Sequence, residues 1–210
     1  MATAPASLRP RLPAGERRAL ILEVARTLFA RNGFHGTGTI EIATAAGCSE
    51  PVIYKHFASK QALFAAVIEE CALEMRALLD QTLLEHADPL EAYATFARRI
   101  VSEPRFIEIT RLRTLALSLV HEPVIHEALL RVSEMMRGRW TEILEEGQRL
   151  GTVREDIVAE HVCLLGLGFS LTAGYLQALG GDVALAKLPV MLDTMIALLR
   201  PPIKQGGDAV

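Results

Sequence analysis

Apolar residues recur along most of this chain at intervals of three and four, the spacing of one helix face, and β-branched residues form no alternating runs. Between about Glu16 and Asn32 the stripe Leu20, Val24, Leu28, with Ile21, Ala25 and Phe29 beside it, predicts a first helix that Gly33 ends as a C-cap. A short amphipathic helix is expected from Ile40 to Ala46, with a side-chain oxygen of Thr37 or Thr39 available to cap it. Gly47 then breaks the chain, and a second short helix begins with Pro51 in its first turn. Ile53 and Phe57 point inward, which leaves Glu50, Val52 and Lys55 outward. A helix with so few apolar residues buries little, so its exposed face is its use. Two such helices around a glycine turn have the form of a helix-turn-helix.

Ser59 is a good N-cap for a long helix whose set Leu63, Phe64, Val67, Ile68, Cys71, Met75, Leu78, Leu79 and Leu83 continues for about six turns. Such a helix can bridge a small head to a larger body. Asp88-Pro89, Glu103-Pro104 and Glu122-Pro123 mark the next boundaries, because the residue before a proline is pushed out of the helical region. The stripe Leu129, Val132, Met136, Trp140, Ile143, Leu150 runs on to Gly151, and Arg154-Glu155-Asp156 is expected to begin a further, apolar helix. Its uncharged stretch Val162 to Leu179 holds Ser170, Thr172 and Gln177 and has no basic flank. A membrane span needs about 20 apolar residues, so the stretch reads as a helix buried on several faces within a protein that does not span a membrane. Gly180-Gly181-Asp182 ends it and caps the last helix. There Ala184, Leu188, Met191, Met195 and Leu198 form a two-stripe seam of coiled-coil type. Gly166, Ser170 and Gly174, each four apart, let a second backbone approach closely. The two helices together suit a four-helix interface between the two copies of a homodimer, formed by Gly166, Ser170, Gly174, Leu188, Met191 and Met195; packing within one chain suits the same pattern.

Composition sharpens this picture. Of 210 residues half are hydrophobic but only 5% aromatic, and Ala and Leu dominate, which favours an all-α protein. The net charge of −3 hides an asymmetry: residues 1–66 carry eight Lys and Arg against four acids, and the remainder carries 14 against 21. A basic head on an acidic body fits contact of the head with a polyanion. Cys48, Cys71 and Cys163 are far apart with no CxxC spacing, which argues against a disulfide framework or zinc knuckle and suits a reducing cytoplasm. Met1 to Gly15 has prolines and arginines but no apolar core, so it is not read as a signal peptide. His121 and His126 are five apart, poor spacing for a metal pair on one helix face. A Gly-rich phosphate loop, G-x-S-x-G and H-E-x-x-H are all missing, so neither an enzyme nor a cofactor is expected.

Ile21-Leu22, Ala25, Leu28-Phe29, Gly33-Phe34, Ile42-Ala43, Ala46-Gly47, Ser49, Ile53-Tyr54, His56-Phe57, Ser59-Lys60 and Leu63 together resemble the TetR (tetracycline repressor-like) family of transcriptional regulators, over about residues 17 to 67. The pattern departs at Gly38, where the family usually has Thr or Ser, at Thr39, where an apolar residue is frequent, and at Ile40, where a polar or basic residue often helps contact DNA. The resemblance implies an N-terminal three-helix DNA-binding domain and a larger helical domain for effector binding and dimerisation. The expected division is a flexible arm over 1–14, the DNA-binding domain over 15–66, the effector and dimerisation domain over 67–203, and a flexible tail over 204–210.

Carried over by position, the DNA contacts fall on Thr39, Glu50, Pro51, Val52, Tyr54, Lys55, His56 and Lys60. Chemistry supports the set. Glu50 can accept from a cytosine amino group or simply complement its own helix N-terminus, Val52 can meet a thymine methyl, and Lys55 can reach guanine or phosphate. Thr39, Tyr54, His56 and Lys60 can position the helix through phosphate oxygens, with Tyr54 also packing against the core. Cys48, in the turn, reads as a small buried hydrophobe or a redox switch. In the body, Tyr93, Phe96, Phe106, Arg113, Met135, Met136, Trp140 and Tyr175 are candidates to line an effector cavity, or are ordinary core. Arg113 interrupts an apolar run from Leu112 to Val120, and an acidic effector or an acid of the chain such as Glu108 could pair with it. The expected function is a homodimeric repressor on double-stranded DNA with a pseudo-palindromic operator, released by a small-molecule effector. An activator, or a helical carrier or enzyme with a vestigial head, are the alternatives.

Overall fold

The computed structural model describes residues 13–179 and 186–202. Among them the chain forms nine helices: α1 (Ala14–Asn32), α2 (Thr39–Ala45), α3 (Glu50–His56), α4 (Lys60–Glu85), α5 (Pro89–Ser102), α6 (Pro104–Leu117), α7 (Pro123–Arg149), α8 (Ala159–Leu179) and α9 (Leu188–Leu199). The protein is all-α. No helix of the described residues is long and apolar enough to cross a membrane. The sequence-read arm and tail, the Gly180-Gly181-Asp182 turn and Ala184 fall wholly or almost wholly outside the described residues.

Prolines set the starts of the body helices. α5, α6 and α7 each open on a proline that follows an acid, where the missing N–H costs no hydrogen bond and φ is already helical. Asp88 adds a side-chain cap to the Leu90 N–H at 2.9 Å, and the Ser59 hydroxyl caps α4 through the Ala62 N–H at 3.0 Å. At α2 the expected threonine cap is not made, because the N-cap position falls on Gly38, which has no side chain. Thr37 donates back to the carbonyls of Gly33 and Leu28, and Thr39 donates to Glu50.

The long α4 lies at the centre of the packing, against α1, α5, α6 and α7. Its N-terminal end closes the head: the Phe64 ring meets Phe29 edge-on at 4.9 Å and Phe34 at 5.3 Å. Farther along, Met75, Leu78 and Leu79 are buried in the body, so one apolar core runs from head to body without a break. α8 packs on α6 and α7, and α9 packs on α5.

Burial corrects four details of the sequence reading. In α1 the inward face is Ile21, Leu22, Ala25 and Phe29, while Leu20 is exposed and Val24 and Leu28 are half-buried. α8 starts at Ala159 rather than at Arg154-Glu155-Asp156, where Arg154 instead forms an ion pair with Asp156 at 2.5 Å. α8 is not buried on several faces either, since Leu165 and Tyr175 lie open on its outer side. The small stripe of α8 turns inward. A Cβ at Gly166 would lie 2.6 Å from the Trp140 ring and one at Gly174 2.4 Å from the Thr114 hydroxyl, while the Ser170 hydroxyl meets Arg113. Gly166, Ser170 and Gly174 therefore serve packing within the chain. The same holds for Leu188, which is fully buried, and largely for Met195; of the expected seam residues, Met191 and Leu198 remain exposed.

Candidate nucleic-acid interface and effector cavity

The head is built around one sharp turn. Gly47 adopts φ +62°, a conformation that side chains disfavour, and the Cys48 N–H then folds back to the Ala43 carbonyl at 2.9 Å. Ser49 restarts the chain and α3 follows with Pro51 in its first turn. Ile42, Ile53 and Phe57 anchor the two short helices in the core. With its inner side held by those residues, α3 presents Pro51, Tyr54 and Lys55 outward, with His56 and Val52 half-buried at the margins. Cys48 is half-buried and packs against the head core.

The polar residues of this surface are tied to each other. The Thr39 hydroxyl at the start of α2 donates to Glu50 Oε1 at 2.5 Å and lies 3.4 Å from the Tyr54 hydroxyl. Glu50 is thereby half-buried and occupied by a strut between α2 and α3, which favours the reading of it as a charge at its own helix N-terminus. Lys60 stands at the start of α4 with Nζ 4.5 Å from the Phe34 ring centroid, and partial burial holds its pKa below the usual lysine value. Two arginines that sequence reading took only as charge prove to brace the head. Arg17 Nη1 donates to the Ala46 carbonyl at the end of α2, at 3.1 Å, and the Arg18 guanidinium lies 5.2 Å from the Phe57 ring centroid. Each contact joins residues far apart in sequence, and no local pattern marks it.

In the body, α4, α6, α7 and α8 line a partly open cavity of about 300 Å³. Its wall is mostly apolar, with Cys71, Met75, Ile109 and Leu167 among the lining residues. Of the residues expected there, Arg113, Met136 and Trp140 do line it. The others do not. Tyr93 sits behind Trp140, edge-on at 5.0 Å, and Phe96 and Phe106 are core. Tyr175 is on the outer face of α8, and Met135 is half-buried on α7 away from the wall. Large aromatic side chains fill any core, so their presence alone does not mark a cavity wall.

Arg113 is the singular group of this wall. Its Nη2 donates to the Ser170 hydroxyl, while Nε is sealed from solvent without an acceptor. The indole N–H of Trp140 is in the same condition. Desolvation pulls the Arg113 pKa downward, as burial does for any cation. Glu108, the acid expected to answer Arg113, instead accepts from Arg26 Nε at 2.7 Å.

The comparisons agree with this geometry. The family model "Bacterial regulatory proteins, tetR family" matches residues 21–67, which span the turn and the start of α4. The HTH-type transcriptional repressor NicS of Pseudomonas putida is 30% identical over 160 residues, covering 72% of this chain and 73% of NicS. The HTH-type transcriptional activator FasR of Mycolicibacterium smegmatis is 48% identical over 59 residues, a match that spans only 27% of FasR. A regulator from Saccharomonospora viridis, crystallised in complex with choline, shares the fold with a TM-score of 0.74 at 20% identity, over 87% of this chain and 96% of its own. With the head pattern matched by the model and the likeness to NicS carried well into the helical body, the chain belongs to the TetR family of transcriptional regulators.

Proposed function

We propose that this protein is a homodimeric repressor that leaves a pseudo-palindromic operator when a small molecule enters its body cavity. The single observation that carries the reading is the apolar cavity walled by α4, the same helix whose first turns close the DNA-binding head. A ligand that changes the packing of α4 and α6 alters the spacing of two heads, and a coupling of about 1–3 kcal/mol is enough for regulation. The domain division is 15–66 for DNA binding and 67–203 for effector binding and dimerisation.

At the operator, Lys55 reaches a base edge or phosphate from α3, Val52 and Pro51 give apolar contact, and Thr39, Tyr54, His56 and Lys60 hold phosphates. Glu50 acts by bracing Thr39. Dimerisation uses the outer faces of α8 and α9, where Leu165, Tyr175, Val190, Met191 and Leu198 are exposed apolar side chains that a second copy would cover. The extended likeness to a repressor, NicS, supports repression over activation. The choline complex of a fold neighbour supports a ligand-holding body.

Mobility-shift titration at low salt with the DNA upstream of the chain's own gene tests this reading. A saturable complex containing two chains per site is expected. The absence of a shift for every fragment would overturn it.

A further inference from the structure

We propose that the body cavity takes an amphipathic carboxylate, with its apolar part among α4, α6, α7 and α8 and its anionic head against Arg113. The inference deepens the effector-released reading above and rests on it for its regulatory meaning.

The charge pattern of the cavity selects the ligand. Among the described residues, no Asp or Glu lines the wall. The other arginine of the lining, Arg137, donates to Glu160 at 2.9 Å. Arg113 has no ion-pair partner among the described residues and donates only to a neutral serine hydroxyl. A half-buried cation that is not matched by an anion is costly. A carboxylate supplies the missing counter-charge, and its two oxygens suit the planar guanidinium fork. A neutral ligand would leave the guanidinium without a counter-charge, and a cationic one would add repulsion.

The volume sets the size. At about 30 Å³ for each water-sized group, a cavity of this volume holds on the order of ten non-hydrogen atoms. Octanoate is a probe of that size and chemistry. 1-Octanol and octylamine have the same chain with a neutral and a cationic head.

Trp140 is the only tryptophan of the chain and lines the cavity, so its fluorescence reports entry directly. Wild type, Arg113→Met and Arg113→Lys are titrated with the three probes, and thermal unfolding is recorded alongside. Octanoate is expected to give a saturable change and to bind about tenfold or more tightly than 1-octanol. Arg113→Met should abolish that preference while leaving 1-octanol binding intact, and Arg113→Lys should retain part of it. Octanoate should raise the melting temperature of wild type more than that of Arg113→Met. No saturable response to octanoate, equal binding of the neutral or cationic probe, or an unchanged octanoate affinity in Arg113→Met would each overturn the proposal. A mobility-shift arm separates the two readings. Octanoate that binds without dissolving a DNA complex sinks effector release and leaves the carboxylate site standing; failure to bind any DNA sinks the regulator reading, and fluorescence still decides the ligand class.

Discussion

Arg26 of α1 donates through Nε to Glu108 of α6 at 2.7 Å, a contact between residues 82 apart that ties the head to the wall of the cavity. Arg26 is only 6% exposed, and its Nη1 also reaches Glu74 of α4 at 3.2 Å. Arg105 extends the network by donating to both Glu74 and Glu23. Three helices thus meet in one cluster of charges, and α6 carries Arg113 a little more than one turn beyond Glu108. Replacing Arg26 by Met should destabilise the protein by about 2–3 kcal/mol in urea unfolding, below the cost of a fully buried pair because Glu74 and Glu108 stay partly hydrated. A double-mutant cycle with Glu108→Gln should recover a coupling of about 1 kcal/mol or more. Additive effects would mean that the contact does not hold the head.

The acid limb of stability should report the same cluster. Partial burial alone would raise the Glu23 carboxyl, but the hydrogen bond from Arg105 and the charges of Arg26 and Arg105 outweigh it and lower the pKa below 4.5. A carboxylate held lower in the folded state contributes stability above its unfolded pKa and loses it as pH falls through the folded one. Stability should therefore be level near neutrality and decline below about pH 4.5. Arg105→Gln should make that decline shallower, as measured by urea midpoints against pH.

Thiol chemistry should separate the cysteines. Burial pushes the Cys71 thiol up to about 12, so almost none of it is thiolate at neutral pH. Cys163 is also buried and raised, whereas Cys48 is half-buried in the head. Iodoacetamide should label Cys48 first in the folded protein, with Cys71 and Cys163 labelled mainly after unfolding. Peptide mass spectrometry that found Cys71 modified as fast as Cys48 would contradict the packed wall.

The two faces of α8 should respond in opposite ways. Gly174→Ala places a Cβ 2.4 Å from the Thr114 hydroxyl and should cost about 1–3 kcal/mol of stability. Leu165→Glu, at a position 70% exposed, should leave folding of the single chain intact and shift sedimentation from dimer to monomer. A monomer produced only by the glycine variant would return the interface to the small-residue stripe.

On DNA, Lys55→Ala should weaken operator binding about tenfold or more and reduce the salt slope by about one. Glu50→Gln should have a smaller effect, since a neutral amide can still accept from Thr39. Fluorescence anisotropy at several salt concentrations reads both.

The head was largely legible from sequence, because what defines it is local. Ile53 and Phe57 reveal the buried side of a short helix, Gly47 the break between the two short helices, and Ser59 the cap of α4, and the structure keeps all of them. The proline boundaries of α5, α6 and α7 were equally plain, since a missing N–H acts on its own helix. The cavity wall was not. Phe96 and Phe106 resemble lining residues in sequence but are core, and only Arg113, Met136 and Trp140 of the candidates reach the cavity.

What the chain's own order of residues determined was the class of fold, most of the helix starts and the turn between α2 and α3, each governed by propensity and periodicity within a few turns. What tertiary structure alone decided was the partner of each long side chain and the face of each apolar helix. Glu108 went to Arg26 rather than Arg113, and Gly166 lies against the Trp140 ring. An apolar helix such as α8 carries acceptable faces all round, so its orientation follows from which neighbours fill the space beside it.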